Sequence, residues 1–350
     1  MTRIPRTPSP APAPRRWRPG ETPWATIDGV AAPAAAPPSA RVIVDNDFAG
    51  DPDDLYQLVH HLLSPAVTIP LVVGSRLREG DGFYPGADSA TQAAAIARDV
   101  MDRMGCDAAE IVVAGSNTPL PDRGTPQPSS AAAAIIDEAL REDTGLPLFY
   151  AAGGGLTDLA TALLLEPRIA ERMTLLWIGG NEHPELAAPP PGGMPIEYNL
   201  LIDVNAAQVV FTDSALPIWQ IPRDVYRQCL VSSAELRRRV AATGPVGRYL
   251  HEETRAVVET VAAHGHAMPE TYALGDSPLV LLTALRSAFE PDSASSRHVV
   301  VPTPALEADG TYTARPDARP MRIYTQVDTR LMFEDLFTKL AELDAWLASA

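Results

Sequence analysis

From residue 41 onward, short apolar runs alternate with longer amphipathic segments. This alternation is typical of βα units, which build a mostly parallel sheet with helices on its faces. We therefore predict an α/β fold with a mostly parallel central sheet flanked by helices, and with extra helices near the C terminus. The predicted strands are Val42–Asp45, Val67–Gly74, Glu110–Ala114, Leu146–Ala151, Met173–Ile178, Pro217–Gln220, His298–Pro302 and Met321–Gln326. The predicted helices are Asp54–Leu63, Asp88–Met104, Ala131–Arg141, Leu156–Leu165, Val204–Phe211, Ser233–Ala241, Val246–His264, Pro278–Ser287 and a closing helix after Arg330.

The first 40 residues differ in composition from the rest of the chain, because they are rich in proline and alanine. They lack the continuous apolar segment of a secretory signal. We predict that residues 1–40 form a disordered tail and that residues 41–350 form one α/β domain. The hydrophobic content of 46% is ample for a large core.

The formal net charge of −16 disfavours attraction to nucleic acid phosphates and to anionic membrane surfaces, so neither partner is expected. The two cysteines, Cys106 and Cys229, lie far apart in the sequence and form no metal-binding spacing. A reducing compartment suits such a chain, and we expect the protein to be cytoplasmic.

Five aspartates fall within ten residues, directly after the apolar run Arg41–Val44: Asp45, Asp47, Asp51, Asp53 and Asp54. Packing so many carboxylates at one strand end is unfavourable unless a cation, bound protons or solvent offset their repulsion. Oxygen ligands of this kind suit Ca²⁺ or Mg²⁺. The alternative is a solvated acidic loop that caps the following helix.

Polar and glycine-rich segments follow several of the other predicted strands. Gly74-Ser75 follows the second strand, Gly153-Gly154-Gly155 the fourth, and Gly179-Gly180-Asn181 the fifth. Ligands of open parallel sheets bind at the carboxyl ends of strands, so we expect these segments to converge there. No Lys-Ser/Thr pair follows Gly155, which excludes a P-loop. The glycines fit either carbonyl coordination of a ligand or a tight turn.

The order of these motifs resembles the inosine-uridine type of nucleoside hydrolase. That family begins with Asp-x-Asp-x-x-x-Asp-Asp, which is similar to the aspartate cluster. The resemblance covers roughly residues 41 to 290. Further matching segments are Gly154–Ala160, Leu165–Ile169, Ile178–Gly180, Glu197–Asn199 with Asp203, and Gly275–Leu279.

The resemblance implies a Ca²⁺ site formed by the side chains of Asp47, Asp54 and Asp276 and by the carbonyl of Gly153, with Asp45 in support. It also implies that Asp47 is the base that takes a proton from a water held by the metal, although Asp47 could be only a ligand. Substrate binding is assigned to five residues by the resemblance or by their place at strand ends: Asp53, Ser75, Asn181, Glu197 and Asn199.

Two departures from the family pattern bear on the chemistry. The spacer between Asp47 and Asp53 is two residues longer than usual, so Asp51 could be an additional ligand or the pocket could be wider. Gly275 stands where many members carry a histidine that protonates the leaving base. His264 and His266 are candidates for that acid, but exposed residues at a helix C terminus are the favoured interpretation. The family's asparagine before the glutamate is also absent, and Asn181 is its possible substitute.

These observations predict a calcium-dependent hydrolase of the N-glycosidic bond of a nucleoside or related ribosyl compound, assembled as a homodimer or homotetramer. A second hypothesis is a divergent hydrolase of another glycoside. A third is a metal-dependent sugar-binding protein without catalysis. The proline-rich loop Glu182–Met194 fits either a specificity element or a surface excursion.

Overall fold

The main sheet of the protein has eight strands within the residues that the computed structural model describes, which are 15–24, 37–265, 270–287 and 295–349. Their order is β3-β2-β1-β4-β5-β6-β12-β9, and all neighbours are parallel except β12 and β9. The predicted mostly parallel sheet is therefore confirmed. The strands are β1 (Ala40–Asn46), β2 (Val67–Gly74), β3 (Val112–Ala114), β4 (Leu148–Ala152), β5 (Met173–Ile178), β6 (Ile218–Ile221), β7 (Leu230–Ser232), β8 (Thr271–Ala273), β9 (Arg297–Pro302), β10 (Ala305–Leu306), β11 (Tyr312–Thr313) and β12 (Pro320–Gln326).

Helices pack against this sheet, and most of them lie where the periodicity predicts. The α-helices are α1 (Asp53–Leu62), α2 (Ser89–Arg103), α3 (Ser130–Ala139), α4 (Thr157–Leu165), α5 (Tyr198–Ile202), α6 (Val204–Gln208), α7 (Arg223–Tyr226), α8 (Ser233–Glu235), α9 (Gly244–Ala263), α10 (Pro278–Ala284) and α11 (Thr329–Ala348). Two 3₁₀ segments lie at Ala109–Ile111 and Pro167–Glu171, and two π-helical segments at Val209–Asp213 and Leu236–Val240. None of the helices within the described ranges is both long and apolar enough to cross a membrane.

The first strand shows how the sequence produces this layered arrangement. All seven residues of β1 are buried. Val42 and Val44 pack into the core on one side of the sheet, and Ile43 packs into the core on the other side. A parallel strand with helices on both faces reads as a continuous apolar run for this reason.

Part of the N-terminal segment differs from the predicted disordered tail. Trp17 and Trp24 are buried, with their rings 4.9 Å apart and nearly perpendicular. The indole N–H of Trp17 donates to the carbonyl of Met104 at 2.8 Å, and Trp24 packs edge-on against Trp346 of α11. Two tryptophans supply enough apolar area to anchor ten residues, which a count of prolines and alanines does not reveal. Residues 37–40 of the predicted tail are also described, and Ala40 is the first residue of β1, whereas residues 1–14 and 25–36 lie outside the described part of the chain.

The sheet order reverses direction between β1 and β4. The chain moves outward from β1 to β2 and β3, then returns to the other side of β1 with β4. Loops that leave β1 and β4 therefore diverge toward opposite halves of the sheet and leave a crevice at their carboxyl ends. This crevice is where Asp47 follows β1 and Gly153 follows β4.

Candidate active site

A cavity of about 280 Å³ opens at this crevice. Its walls come from the segments after β1, β4, β5 and β8, together with α5, α7 and the loop after β2. Residues from separate parts of the sequence thus converge at this edge of the sheet, and of the glycine-rich segments that follow strands only Gly153 lines the cavity. The lining residues are Asp47, Asp51, Asp53, Asp54, Phe83, Gly153, Ile178, Glu197, Tyr198, Asn199, Tyr226, Gly275 and Asp276.

Three carboxylates form the tightest group in this cavity. Asp53, Asp54 and Asp276 each offer one carboxylate oxygen, and these oxygens all lie within 4.8 Å of one another. The backbone N–H of Asp276 also donates to Oδ2 of Asp53 at 3.2 Å. The proximity of Asp276 to Asp54 is what the resemblance predicts, and the third oxygen of this group belongs to Asp53.

Asp47 lines the same cavity, and Asp45 lies behind it. Asp47 is buried, and its backbone N–H is bonded to the side-chain oxygen of Asn46 at 3.0 Å. Asp45 is fully buried and accepts a hydrogen bond from the hydroxyl of Tyr150. Asp45 is not among the residues that line the cavity. Its position fits the supporting role predicted for it.

Burial and mutual repulsion raise the pKa values of these carboxyls. Burial raises the pKa of Asp45 from 3.8 to about 7, and the negative charge of Asp158 adds to this effect. Burial and the charges around the cavity raise the pKa of Asp276 to about 6. The pKa values of Asp47 and Asp54 lie well above the usual range, first because of burial and then because of the neighbouring aspartates. A cation would relieve the repulsion that causes these shifts.

The residues present fit a bound divalent cation. Oδ2 of Asp54 is buried and has no hydrogen-bond partner among the described residues, which leaves an oxygen for a metal. Gly153 provides close backbone approach, since a Cβ at this position would lie 2.2 Å from Oδ2 of Asp276. Carboxylate and carbonyl oxygens of this kind are the ligands that Ca²⁺ prefers. The competing interpretation, helix capping, is not supported, because the N-cap of α1 is Pro52 and it makes no side-chain cap bond.

Glu197 and Asn199 face the cavity, but their side chains are already engaged. Glu197 accepts four hydrogen bonds, from the backbone N–H groups of Gly180 (2.7 Å), Asn199 (3.1 Å) and Leu200 (3.0 Å) and from the hydroxyl of Tyr226 (2.8 Å). These bonds occupy its lone pairs, so Glu197 is placed to orient Tyr226 and α5.

The amide nitrogen of Asn199 donates to two backbone carbonyls, those of Gly153 at 2.5 Å and Ile178 at 2.8 Å. Both of its hydrogens are thereby used. Its amide oxygen is the group that remains for a ligand.

Two of the predicted substrate-binding residues do not line the cavity. Ser75 is buried, and its backbone N–H donates to the carbonyl of Asn46 at 2.9 Å. The side chain of Asn181 bonds the backbone carbonyl of Pro195 and the backbone N–H of Glu197, at 3.0 and 2.7 Å. The bonds of Asn181 favour support of the site over direct contact with a ligand, whereas the hydroxyl of Ser75 is buried and has no hydrogen-bond partner among the described residues.

Both departures from the family pattern, the longer spacer that contains Asp51 and the glycine at position 275, lie in the lining of the cavity together with Asp53. Asp51, from the longer spacer, lines the cavity and accepts a hydrogen bond from the hydroxyl of Tyr272. A Cβ at Gly275 would lie 3.2 Å from both Oδ2 of Asp53 and Cδ2 of Tyr226. The ring of Tyr226 therefore occupies space next to the position where a larger side chain would lie.

Within the described residues, none of the other proton donors considered from the sequence lines the cavity. His264 is exposed at the end of α9 and bonds the carbonyl of Thr260, while His266 lies outside the described residues.

No residue of the loop Glu182–Met194 lines the cavity, and most of the loop is exposed. The structure thus favours a surface excursion for this loop. Arg223 anchors both of its ends, through two bonds of 2.7 Å to Glu182 and one of 2.7 Å to the carbonyl of Met194.

Sequence reasoning missed two contributors to the site. Phe83 lines the cavity, although 44% of its surface is exposed. The sequence feature that could have indicated it is the loop from Gly80 to Gly86, which contains three glycines and two aromatic residues. Asn46 donates to Oδ2 of Asp276 at 2.5 Å, and a polar residue at the end of a buried strand was the signal for it.

The comparisons with known proteins agree with this fold. The model of the inosine-uridine preferring nucleoside hydrolase family matches residues 42–334, and the chain belongs to this family. A nucleoside hydrolase of that description from Leishmania major is 36% identical over 92 residues, and one from Crithidia fasciculata is 36% identical over 89 residues. These alignments span 26% and 24% of this chain, and 27% and 25% of the two relatives.

Solved structures extend the likeness over most of the chain. A purine-preferring ribonucleoside hydrolase from Gardnerella vaginalis has a TM-score of 0.65 at 19% identity. The superposition covers 87% of this chain and 99% of that structure. At this identity the likeness supports the fold, which agrees with the predicted fold class.

Proposed function

We propose that this protein hydrolyses the N-glycosidic bond of a nucleoside or a related ribosyl compound in a calcium-dependent reaction. One observation carries the proposal: carboxylates from two distant parts of the chain, Asp47 and Asp54 after β1 and Asp276 after β8, line one cavity at the reversal of strand order. Family membership makes this the reaction to test first. The relatives are named for inosine-uridine or purine nucleoside hydrolysis, and we extend the nucleoside class to this chain.

The proposed ligands are the side chains of Asp47, Asp54 and Asp276 and the carbonyl of Gly153. Support comes from the unpartnered oxygen of Asp54 and from the position of Gly153 against Asp276. Ca²⁺ takes six to eight oxygens, so this set leaves positions for ligand hydroxyls. When bound, such an ion supplies a Lewis acid that orients sugar hydroxyls and acidifies water.

Asp47 is the proposed general base. Its carboxylate lines the cavity just after β1 and is buried, where a water held in the cavity would lie within its reach. A base of this kind accepts the proton of the attacking water as the bond to the sugar forms. Asp45 lies behind Asp47 and contributes negative charge when it is ionised.

The acidic lining suits the transition state of glycosidic cleavage. This state has oxocarbenium character, so positive charge develops on the sugar ring as the bond breaks. Asp53 and the other carboxylates of the cavity stabilise that charge, and the low dielectric of a buried site strengthens the effect. The side-chain oxygens of Asp53 and Asn199 are the proposed acceptors for sugar hydroxyls, with Glu197 orienting Tyr226 beside them.

A second candidate function is hydrolysis of a glycoside whose leaving group departs without protonation. Gly275 favours it, because no side chain extends from the position where many relatives in the family carry an acid.

We further expect a homodimer or homotetramer, which light scattering in solution would test.

The direct experiment measures release of ribose from inosine, uridine and p-nitrophenyl β-ribofuranoside, with calcium and with excess chelator. We expect ribose from at least one of these compounds and none after chelation. Binding of ribosides without any ribose release after long incubation would favour the non-catalytic sugar-binding alternative. Release that a chelator does not affect would remove the metal from the proposal.

A further inference from the structure

A chain of buried polar side chains runs from the candidate metal ligand Asp276 into the core. Its members are Asn46 at the end of β1, Gln57 and His61 on α1, and Thr283 on α10, and none of these four side chains is exposed. We call this set the buried relay. The reaction proposed above uses none of the four. Buried polar groups need partners, so a connected set of this kind is informative about what it holds in place.

The contacts of the buried relay are continuous. Nδ2 of Asn46 lies 2.5 Å from Oδ2 of Asp276 and 3.5 Å from Oε1 of Gln57. Nε2 of Gln57 lies 2.5 Å from Nδ1 of His61, and Nε2 of His61 lies 2.9 Å from the hydroxyl of Thr283. The hydroxyl of Thr283 donates to the carbonyl of Leu279 at 2.6 Å.

The hydrogen bond from Thr283 to Leu279 determines which atom donates in every other bond of the buried relay. The hydroxyl of Thr283 has one hydrogen, and that hydrogen lies toward the carbonyl of Leu279, which can only accept. His61 must therefore donate from Nε2 to Thr283 and accept at Nδ1 from the amide nitrogen of Gln57. The oxygen of Gln57 is then turned toward Asn46, where it accepts from Nδ2.

His61 can hold this arrangement because it stays neutral. Burial lowers the pKa of His61 to about 3, and the neighbouring His60 and Lys339 add to the effect. The groups that face its ring are Gln57 from its own helix and Thr283 from α10. At neutral pH its Nδ1 therefore remains an acceptor.

The consequence reaches the cavity through the amide of Asn46. Its oxygen accepts the backbone N–H of Asp47 at 3.0 Å, and its nitrogen donates to Asp276. A flipped amide would place its oxygen against the carboxylate of Asp276 and its nitrogen against the N–H of Asp47. These two contacts oppose the flip directly, and the relay adds to them, because the oxygen of Gln57, 3.5 Å from Nδ2 of Asn46, requires a donor there.

We propose that the buried relay of Asn46, Gln57, His61 and Thr283 positions Asp276 and Asp47 for cation binding by fixing the orientation of the Asn46 amide. These are positioning residues, since they act through Asp276 and do not line the cavity. The inference rests on the proposed metal site. Partners behind metal ligands hold those ligands in the productive orientation, and their loss typically weakens metal affinity by about 10- to 100-fold.

The test removes the far end of the relay without changing its shape. Thr283→Val is close in volume to threonine and lacks the hydroxyl, whereas Thr283→Ser keeps the hydroxyl. The dissociation constant for Ca²⁺, measured by isothermal titration calorimetry, should rise about tenfold in Thr283→Val and stay within about twofold in Thr283→Ser. His61→Leu should raise it by a similar factor.

His60 supplies the matched control, since it lies on the same helix and is equally buried. Its Nε2 bonds Asp335 of α11 at 2.8 Å, away from the cavity. His60→Gln should lower the melting temperature and leave the calcium dissociation constant unchanged. Equal calcium affinity in the wild type, Thr283→Val and His61→Leu would overturn the positioning role, whatever happens to stability.

A second measurement examines the relay without metal. The ¹⁵N shifts of the His61 ring in the calcium-free protein should report the neutral form with the proton on Nε2. A proton on Nδ1 would overturn the inferred direction of the bonds. If the wild type itself binds no divalent cation in the titration, the proposed metal site fails; if it binds and the variants bind equally, only the relay fails.

Discussion

The backbone N–H of Asp276 donates to Oδ2 of Asp53 at 3.2 Å, although 223 residues separate them along the chain. Asp53 is the first residue of α1, and Asp276 lies two residues before the start of α10. This contact therefore joins the first βα unit to the C-terminal third of the fold. The acidic cavity therefore exists only when both parts are folded together. Whatever binds the cavity should stabilise the whole domain.

The first prediction concerns that stabilisation. Calcium at 100 times its dissociation constant should raise the free energy of unfolding by about 2.7 kcal/mol, because it binds the folded chain and not the separated carboxylates of the unfolded one. Thermal unfolding with chelator and with added calcium measures this difference. Asp54→Asn should abolish the calcium-dependent part, and Asp99→Asn, at an exposed ion pair on α2, should retain it. Equal melting temperatures with and without calcium would contradict the prediction.

The second prediction is a dependence of stability on pH in the calcium-free protein. The folded-state pKa of Asp45 is raised from 3.8 to about 7 and that of Asp276 to about 6. Between about pH 4 and pH 7 the folded chain therefore binds more protons than the unfolded chain, and stability falls as the pH rises. Below this window both states are protonated, and above it both are ionised, so the contribution is constant on either side.

Bound calcium should remove or reverse this fall of stability with rising pH. Metal ligands must be deprotonated, so calcium affinity rises with pH over the same window. Melting temperatures measured from pH 5 to pH 8 should fall with chelator and be flat or rising with calcium. A parallel fall in both conditions would argue against metal binding by these carboxyls.

The third prediction separates the two possible roles of Asp47. If Asp47 is the base, Asp47→Asn should lower kcat by about 10² to 10⁴, and saturating calcium should not restore it. If Asp47 is only a ligand, the loss should recover as calcium saturates. Steady-state rates at several calcium concentrations, with the calcium dissociation constant measured in parallel, distinguish these outcomes. Asp99→Asn is again the surface control.

The fold and the acidic cavity were largely predictable from the sequence for a physical reason. Apolar runs such as β1 are buried on both faces, and polar residues that follow them are brought to one edge of the sheet by parallel topology. That logic predicted the meeting of the aspartate cluster with Gly153, the family resemblance added Asp276, and all of them except Asp45 line one cavity in the structure. Their proposed roles stay predictions.

The remaining features depend on contacts between distant residues. Ser75 and Asn181 follow strands as expected, yet neither lines the cavity; the side chain of Asn181 is held by Pro195 and Glu197, partners that the spacing does not encode. The two-stranded pair β7 and β8 was also missed, because three-residue strands are too short for a periodic pattern. The anchoring of residues 15–24 depends on where Trp17 and Trp24 find complementary surface.

The fourth prediction concerns this N-terminal anchor. Trp17→Ala removes a buried ring and leaves the carbonyl of Met104 without its donor, so it should lower the free energy of unfolding by about 3–5 kcal/mol. The Michaelis constant for a cleaved riboside should be unchanged, because the described cavity lining contains no residue of this segment. Denaturant unfolding measures the effect, and Arg18→Ala, at an exposed position of the same segment, is its control. Loss of less than about 1 kcal/mol would mean that the segment contributes little to folding.

The fifth prediction follows from Gly275. The described residues that line the cavity include no histidine, lysine or arginine, so protonation of the leaving group must come from a carboxyl, a tyrosine or solvent. A well-placed general acid contributes about 10²- to 10⁴-fold, and its absence should appear as a steep dependence on leaving-group basicity. We expect kcat/KM for p-nitrophenyl β-ribofuranoside to exceed that for inosine by about this factor. The matched variant is Gly275→Ala, whose Cβ would press on Tyr226 without adding an acid, so it should lower both rates equally and leave their ratio unchanged. Equal rates for the two compounds in the wild type would show that another group protonates the base.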